Sequence, residues 1–287
     1  MTVPRAGGTG AGGATVDLHA HTTASDGSRS PTELVRAARE AGLAAIAVTD
    51  HDTLAGVDEA LREGESVGVR VVPGAELSAT DGTREWHILA LHVSDRSGLD
   101  QRLAVYRESR LERAERIAAR LTELGLPVTY QEVLSEAGAA AVGRPHVARV
   151  MIRRGYVRDH REAFDRWLGN GRPAFVHKLL ISVADACLAI HDAGALAILA
   201  HPGSDGRRSR IEALVAAGLD GLEVRHPSHT SEDERRLSSL VQEFGLVMSG
   251  GSDWHGNEDG GRRLDAMQVP MKWLEQQDAR VALRAGR

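Results

Sequence analysis

Seven short apolar runs alternate with amphipathic helical stretches along this chain, and nearly every run ends in histidine, aspartate or glutamate. That alternation constrains the fold more than any other feature, because strand–helix repetition builds a parallel sheet with helices packed outside it. The runs are "TVDLHAH" from Thr15, "LAAIAVTDHD" from Leu43, "VRVVPGAELS" from Val69, "EWHILALHV" from Glu85, "ALAILAHPG" from Ala195, "LDGLEVRH" from Leu219 and "LVMSGGSDWHG" from Leu246. In the first, a period of two sets Asp17, His19 and His21 on one face and Val16, Leu18 and Ala20 on the other. Next comes "SPTE": Ser30 as N-cap, Pro31 at the first helical position and Glu33 three residues after the cap form a capping box. Gly42 closes that helix, and a second helix is expected around residues 54–66.

The alternation lapses from about residue 100 to 175, where helical patterns such as "LAVYRESRLERAERIAARLTELG" and "RPHVARVMIRRG" follow one another without strands. This Arg-rich block reads as an inserted helical subdomain. The chain then divides into a tail (1–15), a first barrel part (16–99), the insertion (100–175) and a second barrel part with a C-terminal tail (176–287). Seven βα units in one sheet suggest an α/β barrel, incomplete or distorted. A doubly wound open sheet is the alternative.

Composition excludes several classes. A formal net charge of −5 argues against binding long duplex nucleic acid or anionic membranes, and leaves room for a small anion held by local Arg or Lys. No run approaches the ~20 apolar residues that span a bilayer. The single cysteine, Cys187, cannot form an internal disulfide, so a reducing compartment, the cytoplasm, is expected. The opening "MTVPRAGGTGAGGAT" lacks the apolar core of a secretion signal and reads as a flexible tail.

In a parallel α/β fold the C-terminal strand ends share one rim, where active sites assemble. His19 and His21, then Asp50, His51 and Asp52, then Glu76, His201, Asp253 and His255 all stand at or just past strand ends. Imidazoles and carboxylates without a thiolate suit Zn²⁺, Mn²⁺ or Fe²⁺. In the fourth run His87 and His92 fall on opposite faces of a regular strand, so both are not expected at the rim. His87 shares its face with Leu89 and Leu91.

The ordered set "DLHAHTTASDG", "VTDHDT", "GAELS", "EWHILAL", "ILAHPG" and "GSDWHG" resembles the motifs of the PHP family (polymerase and histidinol phosphatase) over residues 16–256. "GRPHVARVM" and "RPAFVHK" resemble its TrpH-like subgroup, which includes 3′,5′-nucleoside bisphosphate phosphatases and a 5′-to-3′ exoribonuclease of short RNA. The resemblance implies a distorted (β/α)7 barrel with two to three divalent ions (Mn, Fe or Zn) at its rim. By matching motif, His19, His21, Glu76 and Asp253 would hold the first, and Glu76, His87 and His201 the second. Asp26, His51 and His255 would hold a third. The match selects His87 over His92.

Such ions can lower the pKa of a shared water, so that hydroxide attacks phosphorus near neutral pH. His226, His229, Asp50 and Asp52 are candidates for compensating the leaving oxygen. Arg144, Lys178 and Arg225 are candidates for holding phosphate, since Arg makes bidentate contacts and Lys acts as a point charge. Arg149, Arg153 and Arg154 near Arg144 suggest a basic region. The expected activity is metal-dependent hydrolysis of a small phosphorylated substrate, a nucleotide bisphosphate or short 5′-phosphorylated RNA. Histidinol-phosphate hydrolysis and a non-catalytic metal-binding module are the rivals.

Overall fold

The computed structural model describes residues 13–256 and 262–286, so most of the expected tail over residues 1–15 lies outside the described residues. The strands are β1 (Thr15–Asp17), β2 (Ala45–Val48), β3 (Arg70–Thr80), β4 (Glu85–Leu91), β5 (Ile181–Ser182), β6 (Leu196–Leu199), β7 (Gly221–Arg225), β8 (Val247–Gly250) and β9 (Val269–Pro270). They follow the order β8-β7-β6-β4-β3-β2-β1-β9, with β5 beside β3. The row closes on itself beyond β1 and β8. Leu18 N–H donates to the Gly250 carbonyl (3.0 Å), Asp253 N–H to His19 (2.9 Å) and His21 N–H to Trp254 (2.8 Å). Seven strands are therefore the staves of a distorted α/β barrel, and β5 and β9 are two-residue additions.

The distortion has a local cause. β4 runs antiparallel to both β3 and β6, because only residues 81–84 separate it from β3, and a parallel neighbour needs a long crossover. Asp81 fixes the turn by accepting from the N–H groups of Thr83 (2.8 Å) and Arg84 (3.0 Å), and Gly82 supplies the positive φ of 89°. The reversal puts the start of β4, not its end, at the rim. His87 thus sits opposite Ser78 near the mouth. His92 falls at the other end, where it contacts Gln277.

Helices α1 (Pro31–Glu40) and α2 (Val57–Val67) follow β1 and β2. The capping box forms as the sequence predicts, with Ser30 accepting from Glu33 N–H and Glu33 from Ser30 N–H. Between β4 and β5 stand α3 (Arg96–Glu123), α4 (Tyr130–Ala137), α5 (Arg144–Arg153) and α6 (His160–Ala163), then a π-helical turn at Phe164–Leu168. The outer ring resumes with α7 (Val183–Asp192), α8 (Arg208–Ala216) and α9 (Ser231–Phe244), and α10 (Met271–Ala285) follows β9. No described helix is long and apolar enough to cross a membrane.

Three apolar cores result. Leu34, Val35, Ile46, Leu77, Ile190 and Leu237 pack the outer face of the sheet against the helices. Val16, Leu18, Val72, Leu89, Leu91 and Ile198 belong to a second cluster whose helical members all come from α10, such as Leu274; this is the barrel interior, closed at its base by α10. The third lies among the inserted helices, around Ile117, Leu121, Val147, Met151 and Leu168. α3 serves two of them, because Leu99 and Leu103 belong to the barrel's outer core and Ala114–Leu121 to the insertion's. The period-two expectation for β1 holds only in part. Val16 and Leu18 do share the interior, but Ala20 belongs to the outer core. The strand ends at Asp17, whose carboxylate takes His19 N–H (3.2 Å) and Ser252 N–H (3.0 Å).

Candidate active site

Above the apolar interior the strand ends converge on one carboxylate, Glu76. Its Oε2 lies 3.5 Å from His19 Nε2, 3.3 Å from His21 Nε2 and 3.1 Å from His51 Nδ1. Its Oε1 lies 2.7 Å from His87 Nδ1 and 3.1 Å from His201 Nε2. Asp253 Oδ1 approaches His21 Nε2 (3.2 Å) and His19 Nε2 (3.5 Å). Asp26 faces His255 Nε2 (3.4 Å) and His51 Nε2 (3.8 Å). This packing needs Gly251, since a Cβ there would stand 2.4 Å from His19 Cβ. His201 and Asp253 also take positive φ (31° and 51°), the kind of strain that gathers at functional sites.

The residues fit divalent metal. Ligand atoms about 2.0–2.2 Å from one tetrahedral ion stand roughly 3.3–3.6 Å apart. The spacings among His19, His21 and Glu76 lie at or within about 0.1 Å of that range, 3.2 Å between His19 Nε2 and His21 Nε2 and 3.5 and 3.3 Å from these atoms to Glu76 Oε2. The buried His21 Nδ1 has no hydrogen-bond partner, and His51 Nδ1 and His87 Nδ1 approach Glu76 without a hydrogen bond of good geometry, a costly state for polar groups. Among the described residues three ligand-like groups emerge: His19, His21 and Glu76; His51, Glu76 and His87; and His21, Asp26, His51 and His255. The charges are unbalanced in the same sense. Burial resists protonation of His19, yet Glu223, Glu76 and Asp253 hold its pKa well above the ordinary value. For His21, burial is outweighed by Asp253 and Glu76, which raise it to about 10. The rim attracts cations.

Sequence reasoning missed the groups that orient these ligands. Glu223, fully buried, accepts from His19 Nδ1–H (3.1 Å) and from His201 N–H (2.6 Å). Glu85 accepts from His87 Nε2–H (3.1 Å). Each bond leaves the other ring nitrogen free to face Glu76, the usual outer support of a metal-binding imidazole. Arg262 donates to Asp253 Oδ2 at 2.9 Å.

Facing the rim is a wall of cations. A cavity of about 110 Å³ is lined by Asp26, His51, Glu85 and His87 on one side and by Arg110, Arg113, Arg144 and Lys178 on the other. Arg110 donates through Nε to Asp52 (2.7 Å), Lys178 donates to Ser78 (2.7 Å) and pairs with Glu85 (2.6 Å), and Arg113 donates to the Val176 carbonyl (2.7 Å). Arg144 donates to the Leu168 carbonyl (3.1 Å) and lies over Phe164. Burial, then the neighbouring Arg144 and Arg110, push Arg113 down to about 9; burial and Arg110 push Lys178 down to about 8. Among the described residues, Arg113 and Arg144 bond to main-chain carbonyls and have no carboxylate partner. Arg110 and Arg113 had a sequence signal, because they fall on the buried stripe that Leu103, Ile117 and Leu121 define along α3.

Other sequence candidates lie elsewhere. Asp50 accepts from Thr22 N–H, Thr22 Oγ1 and Ser25 Oγ, each at 2.7 Å, and so braces the loop after β1. Asp52 is engaged by Arg110 and by Ser78 N–H (3.2 Å). Both ring nitrogens of His229 serve the backbone: Nδ1–H donates to the Val224 carbonyl and Nε2 accepts from Gly203 N–H. Arg225 lies over Trp273 and donates to the Gln268 carbonyl, away from the cleft. Only His226 of the four proton-transfer candidates keeps a ring nitrogen at the rim. Its Nδ1 accepts from Ser228 N–H (3.1 Å), so the proton sits on Nε2, 3.5 Å from Asp253 Oδ2. Nor do Arg149, Arg153 and Arg154 form an open basic region, since Glu136 pairs with the first two and Glu132 with the third. The "GRPH" stretch has a structural role, with His146 Nδ1 accepting from Gly143 N–H (3.0 Å) to cap α5. Burial holds that ring at about 4, hence neutral.

Comparison with known proteins agrees with this geometry. The PHP domain model matches residues 17–172. The chain is 37% identical over 245 residues to the 5′-3′ exoribonuclease of Haemophilus influenzae, spanning 83% of this chain and 89% of that one. It is 35% identical to the 3′,5′-nucleoside bisphosphate phosphatase of Chromobacterium violaceum, spanning 87% and 90%. A solved structure from Bifidobacterium adolescentis, assigned to the metal-dependent phosphoesterases, superposes with a TM-score of 0.86 at 31% identity, covering 93% of this chain and 96% of that one. A barrel rim rich in imidazoles, the ordered motifs and these relatives converge: the chain belongs to the PHP family of metal-dependent phosphoesterases.

Proposed function

We propose that the substrate is a nucleotide ester carrying a second phosphate, either a 3′,5′-nucleoside bisphosphate or a short 5′-phosphorylated RNA, and that two to three ions of manganese, iron or zinc serve its hydrolysis. The carrying observation is the cation wall of Arg110, Arg113, Arg144 and Lys178 directly opposite the imidazole–carboxylate rim. One phosphate has a place at the rim and a second has a place on the wall. The relatives named for a nucleoside bisphosphate and for RNA support the same class.

In this reading His19, His21, Glu76 and Asp253 hold the first ion, Glu76 with His87 and His201 the second, and Asp26, His51 and His255 the third. Such ions supply an activated water and neutralise the phosphoryl oxygens. The chain's own residues do the rest. Glu223 and Glu85 fix the tautomers of His19 and His87. The arginines and Lys178 grip the second phosphate by charge-assisted hydrogen bonds and so orient the ester. His226 keeps an Nε2–H beside Asp253, placed to donate a hydrogen bond to the departing oxygen. Histidinol phosphate would bring its own ammonium toward four cations, which disfavours it. A non-catalytic module has no use for a full ligand set opposite an anion cleft.

Phosphate and nucleotide release measured across 3′,5′-bisphosphates, 5′-monophosphates, histidinol phosphate and 5′-phosphorylated RNA oligomers tests the reading. The bisphosphate or the RNA is expected to give the highest kcat/KM. Fastest turnover of histidinol phosphate, with no gain from a second phosphate, would overturn it.

A further inference from the structure

A second cavity, of about 300 Å³, adjoins the cation cleft. Arg84, Trp86, Asn170 and Asp205 line it together with His87 and His201, and it shares Glu85, His87 and Arg144 with the cleft. A substrate phosphorus at the rim would thus stand between two cavities. One is strongly cationic; the other is polar and built on a braced hairpin.

The bracing is specific. Asp81, which fixes the β3–β4 turn, also accepts from Trp86 Nε1–H at 2.7 Å. The Arg84 guanidinium lies over that indole, 5.3 Å from its centroid. Asp205 holds Arg84 at 2.5 Å and is itself held by Arg210 at 2.6 Å. A planar cation fixed over an indole is the kind of surface on which nucleobases stack.

The chemistry decides what would occupy it. A phosphate monoester carries one organic group on its phosphorus, and in a bisphosphate that group leads back to the cation cleft. A diester carries a second organic group, which needs a place of its own. We propose that this cavity binds the nucleotide downstream of the scissile phosphate in an RNA chain, with Arg84 over Trp86 receiving its base. The proposal rests on the function proposed above. In the step it serves, water adds its oxygen to phosphorus and the bond from phosphorus to the 3′ oxygen of the first nucleotide breaks. That oxygen takes the proton that the attacking water gives up, and the downstream nucleotide keeps the phosphate as its new 5′ end.

The test compares kcat/KM for a 5′-phosphorylated dinucleotide with kcat/KM for a 3′,5′-bisphosphate in the wild-type protein, Arg84→Ala and Arg84→Lys. Arg84 is partly exposed beside a turn held by Asp81, so neither substitution disturbs the β3–β4 ladder. The dinucleotide-to-bisphosphate ratio is expected to fall about tenfold in Arg84→Ala, in line with the loss of one stacked base. It should stay low in Arg84→Lys, whose ammonium has no planar face. An unchanged ratio in Arg84→Ala, or one restored by lysine, would overturn the proposal. Wild-type protein that hydrolyses the bisphosphate but not the dinucleotide would refute this inference alone. If it hydrolysed neither, the function proposed above would fall, and this inference with it.

Discussion

On the barrel side of the cleft Asp26, Glu76 and Asp253 stand among imidazoles, Glu76 within β3 and Asp26 and Asp253 in the loops after β1 and β8. On the opposite side α3, α5 and the segment before β5 bring Arg110, Arg113, Arg144 and Lys178, anchored largely through side-chain bonds to carbonyls, a hydroxyl and carboxylates. The first wall is fixed by the backbone of a closed barrel and is rich in imidazoles and carboxylates. The second is fixed by side-chain contacts and carries more cations than the carboxylates Asp52 and Glu85 that hold it. The contrast separates duties: the barrel wall sets which bond is broken, and the helical wall sets which molecule is presented.

If that division is right, the two walls should fail differently. The largest effect is expected from His19→Ala or Asp253→Ala. Losing a ligand removes several kcal/mol of transition-state stabilisation, on the order of 10³-fold or more in rate, on every phosphate ester alike. Elemental analysis should find less bound metal while circular dichroism finds the fold retained. Full activity from either variant freed of metal would break the comparison at its barrel side.

A smaller and selective loss is expected on the other wall. Arg144→Ala should raise KM for a bisphosphate by roughly 10–100-fold, as for a charge-assisted hydrogen bond worth about 1.5–3 kcal/mol, with metal content unchanged. An aryl monophosphate, which has no second phosphate, should be nearly indifferent. Arg153→Ala serves as the control, because that side chain is spent on Glu136 and half-exposed. An equal loss in both arginine variants would return Arg144 to the general surface.

The smallest effect is a pH dependence. Burial and Arg110 hold Lys178 at about 8, so its charge is present below that pH and lost above it. The kcat/KM for the bisphosphate should therefore fall several-fold relative to the aryl phosphate as pH rises through 8. In Lys178→Arg, which stays charged, the relative decline should vanish. A parallel decline for both substrates would assign the titration to the rim instead.

The two walls were also unequally legible in the sequence. The rim could be read because most ligand candidates stand at or near the end of an apolar run, a local pattern that survives without knowledge of the fold; Glu76, expected at the end of the third run, lies inside β3 instead. Strand direction was harder. The Asp81–Gly82 pair between two strand-like runs is a hairpin signal, and reading it would have reversed β4 and explained why His87 stands at the start of its run. The cation wall was nearly hidden. Arg110 and Arg113 sit among many helical arginines, and only their coincidence with the apolar stripe of α3 marks them as inward. Whether Asp50, Asp52, His229 and Arg225 face a substrate or a main-chain group depended on loop geometry that no spacing rule encodes.

The continuity of α3 limits how this enzyme could be re-engineered. Its 28 residues run for about 42 Å, with one end wedged in the barrel's outer core and the other in the insertion's core. The insertion is therefore not a cassette. A graft exchanging it whole between relatives must splice through the middle of this helix, near Arg107 and Arg110, which tie it to Asp52. A splice after Glu123 instead retains those anchors and exchanges Arg144 with its surroundings. Recombination for new substrates should favour the later junction, because it trades recognition without cutting the beam that carries both halves.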